Sequence, residues 1–322
     1  MPDNKLGTVG FIAQKIKASV VIKVYLSMLG VYAVSCILQP NYLSVTYLID
    51  TLVMASILGI LALGQTLVIL TGGIDLSIIW TMNLAAVIIC MFQYYGRNPL
   101  FAILVALAVS ILIGVFNGMG VAYLDIPPMV MTLATQSIVY SITMVYTDGN
   151  ARGQAPEWLR WLSTGYTLGL RNILIFWLII ALLAAFILGK TTFGRKLYAV
   201  GNSVSVSYLS GIRVKGMLIA VYAISGVTAM ISGLVFTGYL GYSYLSMGEN
   251  YELPSIAAVV IGGTSILGGK GNYTGTVAGA IMLYLVTSML NNMQIEASGK
   301  KVIYGLIILV VLLFYNREKK IK

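Results

Sequence analysis

The sequence predicts an all-α, polytopic transmembrane helix bundle of about ten spans, with both termini in the cytoplasm. Three observations lead there. Of 322 residues, 59% are hydrophobic and 9% charged, and the mean hydropathy is +0.92, far from that of a water-soluble domain. Ten long stretches carry no charge: 24–49, 51–74, 76–96, 98–124, 126–147, 172–189, 216–248, 253–269, 271–295 and 302–316. A helical span needs about 20 residues, and most of these stretches supply them. The third observation is the division of Lys and Arg when the N-terminus is placed inside and the spans alternate. Lys5, Lys15, Lys17, Lys23, Lys190, Arg195, Lys196, Arg213, Lys215, Lys270, Arg317, Lys319, Lys320 and Lys322 then fall inside; Arg97, Arg152, Arg160, Arg171, Lys300 and Lys301 fall outside. The net charge of +10 is thus explained by topology and not by a nucleic-acid partner.

The N-terminus has no small-residue cleavage site after a short apolar core, so 24–49 is expected to be an uncleaved first span. Between the second and third stretches lies Thr71-Gly72-Gly73-Ile74-Asp75-Leu76-Ser77. Paired glycines loosen a helix, and a carboxylate at membrane depth is kept only where protein or water surrounds it. Two roles fit Asp75: part of a polar path or gate, and a cap on the helix that follows. Gln65, Asn83 and Asn117 place isolated amides in neighbouring spans.

In 126–147, Thr132, Gln136, Tyr140, Thr143 and Thr147 recur on one helix face, with Thr135 beside them. Uncharged hydroxyls and amides suit a neutral, polyhydroxylated ligand, so this face is expected to line the path; hydrogen bonding between helices is the alternative. The outside loop 148–171 carries Trp158 and Trp161, the mark of a short interfacial helix. The inside loop 190–215 is basic but also holds Phe193, Leu197, Tyr198, Val200, Tyr208 and Leu209, too many bulky apolar residues for a linker. Short amphipathic helices separated by Gly201 and Gly211 are expected, as a docking surface for a cytoplasmic partner or as a pair lying on anionic lipid.

Small residues recur every fourth position at Ser110, Gly114, Gly118, at Ser225, Ala229, Gly233, Thr237, Gly241, and at Gly271, Gly275, Gly279, which predicts close helix crossings. Val68-Ile69-Leu70-Thr71-Gly72-Gly73 has an echo in Val259-Val260-Ile261-Gly262-Gly263, as an internal repeat would.

Enzymatic constellations do not appear. Histidine is absent, and Cys36 and Cys90 sit singly in apolar runs, which leaves no triad, disulfide framework or zinc set. Gly269-Lys270 imitates a P-loop, but Thr264 stands where the first glycine belongs and Gly271 where Ser or Thr belongs.

Several segments, in order along nearly the whole chain, resemble the permease subunits of bacterial ATP-binding-cassette sugar importers, the ribose, xylose and galactose group. They are Gly64-Gln65-Thr66-Leu67-Val68-Ile69-Leu70-Thr71-Gly72-Gly73-Ile74-Asp75-Leu76-Ser77, Thr132-Leu133, Gly194-Arg195 with Ala199-Val200-Gly201-Asn202, Leu209-Ser210-Gly211-Ile212, and Ile256 to Ser265 with Gly268-Gly269-Lys270-Gly271. The resemblance implies a single permease domain over 1–322 in the bacterial cytoplasmic membrane, paired with a second permease subunit as homo- or heterodimer. It implies an extracytoplasmic sugar-binding protein, and ATPase subunits that hold ATP and Mg, this chain binding no cofactor itself. It places ATPase coupling in 190–215, on Gly194, Arg195, Gly201, Asn202, Tyr208, Leu209, Ser210 and Gly211, and a gate at the Gly72-Gly73 and Gly262-Gly263 breaks. The chain departs from the family at Ile79 (commonly Gly), Tyr140 (commonly Arg), Pro254 (commonly Asp) and Ser203-Val204-Ser205-Val206. The rival readings are an ion-coupled secondary transporter of a small polar solute, with Asp75 or Asp125 as the titrating group, and an intramembrane enzyme.

Overall fold

The computed structural model describes residues 20–320; Lys5, Lys15, Lys17 and Lys322 lie outside the described residues. The chain is mostly helical: α1 (Val20–Leu38), α2 (Val45–Leu70), α3 (Ile78–Tyr94), α4 (Pro99–Tyr123), α5 (Pro128–Thr147), α6 (Glu157–Thr164), α7 (Asn172–Lys190), α8 (Thr192–Asn202), α9 (Val204–Leu209), α10 (Val214–Leu240), α11 (Glu252–Ile261), α12 (Tyr273–Asn292) and α13 (Ala297–Lys320). A two-residue hairpin, β1 (Tyr166–Thr167) with β2 (Leu170–Arg171), stands between α6 and α7. Among the described residues, seven helices are long and apolar enough to cross a membrane: α1, α2, α4, α5, α7, α10 and α12. The protein is a polytopic helical membrane protein.

Local chemistry sets the ends of these helices. Ser44 accepts from the Tyr47 amide at 3.2 Å to start α2, Asn98 from Leu100 at 2.8 Å to start α4, and Asn272 from Thr274 at 3.1 Å to start α12. Gly241, at φ +87°, closes α10.

The ten charge-free stretches do not map one to one onto these spans. Asp50, a boundary between the first two stretches, lies inside α2, and the chain turns instead at Pro40–Leu43. The stretch 253–269 gives only α11, of 10 residues, before Gly262 and Gly263 stop it. Such a helix covers about 15 Å, half of a hydrocarbon core of roughly 30 Å. The stretch 76–96 gives α3, of 17 residues.

α2 and α3 form the centre: nearly every side chain of α3, and of α2 from Val53 onward, is buried, while the first turns of α2 are largely exposed. α10 packs on α4, α2 and α3, while α12 packs on α2, α11 and α1. The small-residue faces are where backbones meet. A Cβ at Gly114 would strike the Tyr222 carbonyl, one at Gly233 that of Met82, and one at Gly279 that of Ala258. The predicted interfacial helix is α6, and it leaves Trp158 and Trp161 exposed.

Candidate functional site

The Thr71–Ser77 stretch is the junction between the two central helices, with Gly73, Asp75 and Ser77 buried and Gly72 exposed. α2 stops in a Schellman turn: Gly72 N–H donates to Ile69 at 2.9 Å, Gly73 N–H donates to Val68 at 3.1 Å, and Gly72 adopts φ +84°. Asp75 is 2% exposed. Its Oδ1 accepts from the Ser77 amide at 3.0 Å and the Ser77 hydroxyl at 2.6 Å, and its Oδ2 accepts from the Ser225 hydroxyl at 2.7 Å. Asn117 donates from Nδ2 to Ser77 Oγ at 2.8 Å. Thr132 Oγ1 accepts from the Leu76 amide at 3.1 Å and lies within donating distance of the Ile74 and Pro128 carbonyls. Asp75 therefore caps the entry to α3 and ties it to α4 and α10, with no ion pair to it among the described residues. A carboxylate accepting three donors is well satisfied without a cation.

The turn after α11 repeats this geometry. Gly263 N–H donates to Val260 at 3.0 Å, Thr264 N–H to Val259 at 3.2 Å, and Gly263 adopts φ +88°. Gly72 thus corresponds to Gly263, and the short sequence echo is a repeated helix stop. Gly262 lies against α12, where a Cβ would meet the Gly275 and Thr276 backbone.

Three glycine-bearing segments converge beside the first stop. The Gly269 amide donates to the Leu70 carbonyl at 2.9 Å, at the end of α2. Asn202 Nδ2, at the end of α8, donates to Gly269 O at 3.3 Å and to Tyr198 O at 2.8 Å. The Tyr198 hydroxyl donates to Gly271 O at 2.9 Å, and burial holds its pKa above the ordinary tyrosine value, so it remains a donor. Gly201 permits this approach, since a Cβ there would overlap the Leu70 carbonyl and meet the Gly269 amide. Gly194 likewise turns tightly under the end of α7, against the Leu188 carbonyl.

The 190–215 segment forms α8 and α9. Its break falls at Ser203, which caps α9 by accepting from the Val206 amide at 3.3 Å; Gly201 lies within α8. α9 leaves Tyr208 74% and Leu209 83% exposed, and Gly211, at φ +77°, turns the chain away. Ser210 Oγ donates back to Val206 O at 2.8 Å, and Arg195 lies on the exposed side of α8.

The polar residues of α5 divide between two faces. Thr132, Thr135, Thr143 and Thr147 are buried, their hydroxyls bonded to carbonyls three or four residues back. Tyr140 is 43% exposed and stacks edge-on against Trp80, with centroids 4.6 Å apart; Gln136 is half-buried. The exposed face beside them carries Ser137 and Ser141, which the sequence reading passed over; their i, i+4 spacing around Tyr140 was the available signal. Gln65 and Asn83 are interior. Both amide atoms of Gln65, and the side-chain oxygens of Asn83, Asn117 and Gln136, lack hydrogen-bond partners among the described residues. Asn83 Nδ2 donates to Tyr244 O at 3.0 Å.

Comparison with known proteins gives this geometry its context. Residues 47–312 match the family described as "Branched-chain amino acid transport system / permease component". The chain is 37% identical over 280 residues to the autoinducer 2 import system permease protein LsrC of Salmonella typhimurium, covering 87% of this chain and 81% of the relative. It is 32% identical over 297 residues to the ribose import permease protein RbsC of Bacillus subtilis, covering 92% of each. It is also 32% identical over 301 residues to RbsC of Escherichia coli, covering 92% of this chain and 94% of the relative. No solved structure matches. The matched region runs from the start of α2 into α13 and contains both helix stops and the segment beside them, and on that extent the chain belongs to this family of transport-system permease components.

Proposed function

We propose that this chain is the membrane-spanning permease subunit of an ATP-driven importer, moving a sugar or sugar-like small polar solute delivered by an extracytoplasmic binding protein. The family description names branched-chain amino acids, whereas the matched relatives are named for ribose and autoinducer 2 import. Their identity over most of both chains favours the polyhydroxylated class, as do the uncharged hydroxyls and amides of α5.

The observation that carries the reading is the joining of α8 to both helix stops through Gly201, Asn202 and the Gly268–Gly271 loop. A movement imposed on α8 and α9 reaches the end of α2 and the loop after α11 through packed backbone, with no flexible segment between. In this reading the exposed Tyr208 and Leu209 seat in a groove of a separate ATPase subunit, which holds ATP and Mg, while this chain binds no cofactor. Arg195 flanks the contact, and Ser210 and Gly211 shape the exit from it. ATP drives transport by the ATPase's differential affinity for two permease states.

Ten membrane passes follow if α3, α11 and α13 are counted with the seven long apolar helices, and both termini then lie in the cytoplasm of a bacterial inner membrane. Residues 1–322 act as one permease domain. A second permease subunit faces the exposed side of α5, so that Gln136, Ser137, Tyr140 and Ser141 border the path. Thr132, Thr135 and Asp75 hold the adjoining gate, and Gln65, Asn83 and Asn117 seat water along it. Gly72, Gly73, Gly262 and Gly263 are the points at which the gate bends.

The test is co-purification with the candidate ATPase, followed by uptake of D-ribose in proteoliposomes with binding protein and ATP. Vanadate-sensitive uptake supports the reading. Uptake driven by a proton gradient without ATP would install the secondary-transporter alternative instead.

A further inference from the structure

A cavity of about 300 Å³ opens between α2, α10, α11, α12 and α13, away from the exposed face of α5. Met54 and Leu58 line it from α2, and Lys300 and Lys301 from the start of α13. Counted from the start of α2, Met54 and Leu58 lie about 14 and 20 Å along the helix, near the middle of a core of roughly 30 Å. The cavity therefore runs from the side placed outside to mid-membrane depth. The first residue of the half-length helix α11, Glu252, also lines it. Solute sites of membrane transporters recur at the midplane beside the ends of discontinuous helices.

The lining specifies a ligand class. Tyr251 is 8% exposed and Tyr284 is half-buried; both line the cavity, and neither hydroxyl is bonded to another of the described residues. The neighbouring Tyr304 hydroxyl is already paired with Thr287 at 2.8 Å. A hydroxyl that lines a cavity without a protein partner is free to bond a molecule that enters it, and each tyrosine both donates and accepts. The rings add apolar faces to which the C–H side of a pyranose or furanose can stack. Charge around the lining balances, Glu249 and Glu252 against Lys300 and Lys301, which favours neither an anion nor a cation. A hydrocarbon tail would displace water from both hydroxyls without replacing its hydrogen bonds. The volume sits at the lower end of small-molecule sites, of order 300 Å³ and upward.

We infer that this cavity binds one molecule of a neutral, polyhydroxylated solute of sugar size within a single subunit, apart from the α5 face. Tyr251 and Tyr284 supply the hydrogen bonds and the stacking surface. The identity of the solute class rests in part on the importer reading; the site itself rests on the cavity and its unpaired hydroxyls.

The test uses the purified full chain in lipid nanodiscs, without ATPase or binding protein, and saturation-transfer NMR with D-ribose, D-xylose and D-galactose as probes. Saturation transfer to at least one probe is expected. Tyr251→Phe with Tyr284→Phe, which keeps both rings, should weaken binding at least tenfold. Ala297→Trp, which fills the cavity from an exposed position, should abolish it, with the thermal midpoint held in both variants. No transfer to any of the three probes, transfer unchanged in both variants, or a co-purified lipid that the sugars fail to displace would overturn the inference. Binding that behaves as expected in a chain showing no ATP-dependent uptake would sink the importer reading and leave this site standing; the reverse pattern would do the opposite.

Discussion

Loosening the link between α8 and the Gly268–Gly271 loop separates ATPase docking from transport. Two side-chain hydrogen bonds make that link, Asn202 Nδ2 to Gly269 O at 3.3 Å and Tyr198 Oη to Gly271 O at 2.9 Å. Asn202→Ala with Tyr198→Phe removes both. It leaves the Gly269 amide bonded to Leu70 O, so the loop stays on α2 and the chain folds. Each bond contributes about 1 kcal/mol. Losing about 2 kcal/mol shifts the balance between joined and separated arrangements roughly thirtyfold. Neither residue belongs to the exposed Tyr208–Leu209 surface, so the ATPase should still be pulled down at wild-type yield. ATP hydrolysed per solute imported should rise several-fold, with each single variant intermediate. In a double-mutant cycle the two effects should deviate from additivity, because both bonds hold one loop. A double variant that couples as tightly as wild type would refute the relay. So would one that loses ATPase binding together with transport, since α8 would then be part of the docking surface and nothing more.

Three further outcomes are expected. Tyr208→Ala with Leu209→Ala removes two exposed anchors, each costing about 2 kcal/mol of binding, and should release the ATPase in pull-down while the permease still inserts and dimerises. Asp75→Asn keeps an acceptor for Ser77 and should leave thermal unfolding nearly unchanged while cutting uptake; Asp75→Ala strands the buried Ser77 amide and should cost about 2 kcal/mol. Equal destabilisation by both would make capping the whole role of Asp75. Cysteines at Ser203 and Lys319 should label only from the cytoplasmic face and one at Gln154 only from outside, and labelling of Gln154 and Ser203 from the same side would break the topology.

Composition was enough for the class of fold, because a chain this apolar has few ways to satisfy its backbone other than helices in lipid. Helix ends were less legible, since charges served as delimiters and charge does not stop a helix. Asp50 sits inside α2, while Pro40 and the glycines at 72, 241 and 263 do the stopping through backbone geometry. The period of α5 put Thr132, Thr143 and Thr147 on one face, as it is, but period does not say which face is covered. That depends on α3 and α4, which pack on α5 from elsewhere in the chain. The meeting of Leu70, Gly201 and Gly269 was beyond reach for the same reason: close approach of backbones leaves only glycine as its sign, and the sequence has 34 of them.

The brevity of α11 bears on how the protein is made. Ten residues are too few to be recognised as a span by hydrophobic length, so lipid alone does not hold this segment in place as it emerges. Its seat is built from α2, already inserted, and from α12 and α13, which are synthesised later. The crossing of Gly262 against Gly275 and of Ala258 against Gly279 forms only when α12 has arrived. On the proposed ten-pass topology, insertion of α11 is expected to be completed out of chain order, as one half of a helical hairpin with α12. A substitution at Gly275 or Gly279 would then act first on biogenesis, leaving a chain whose inserted part ends at α10.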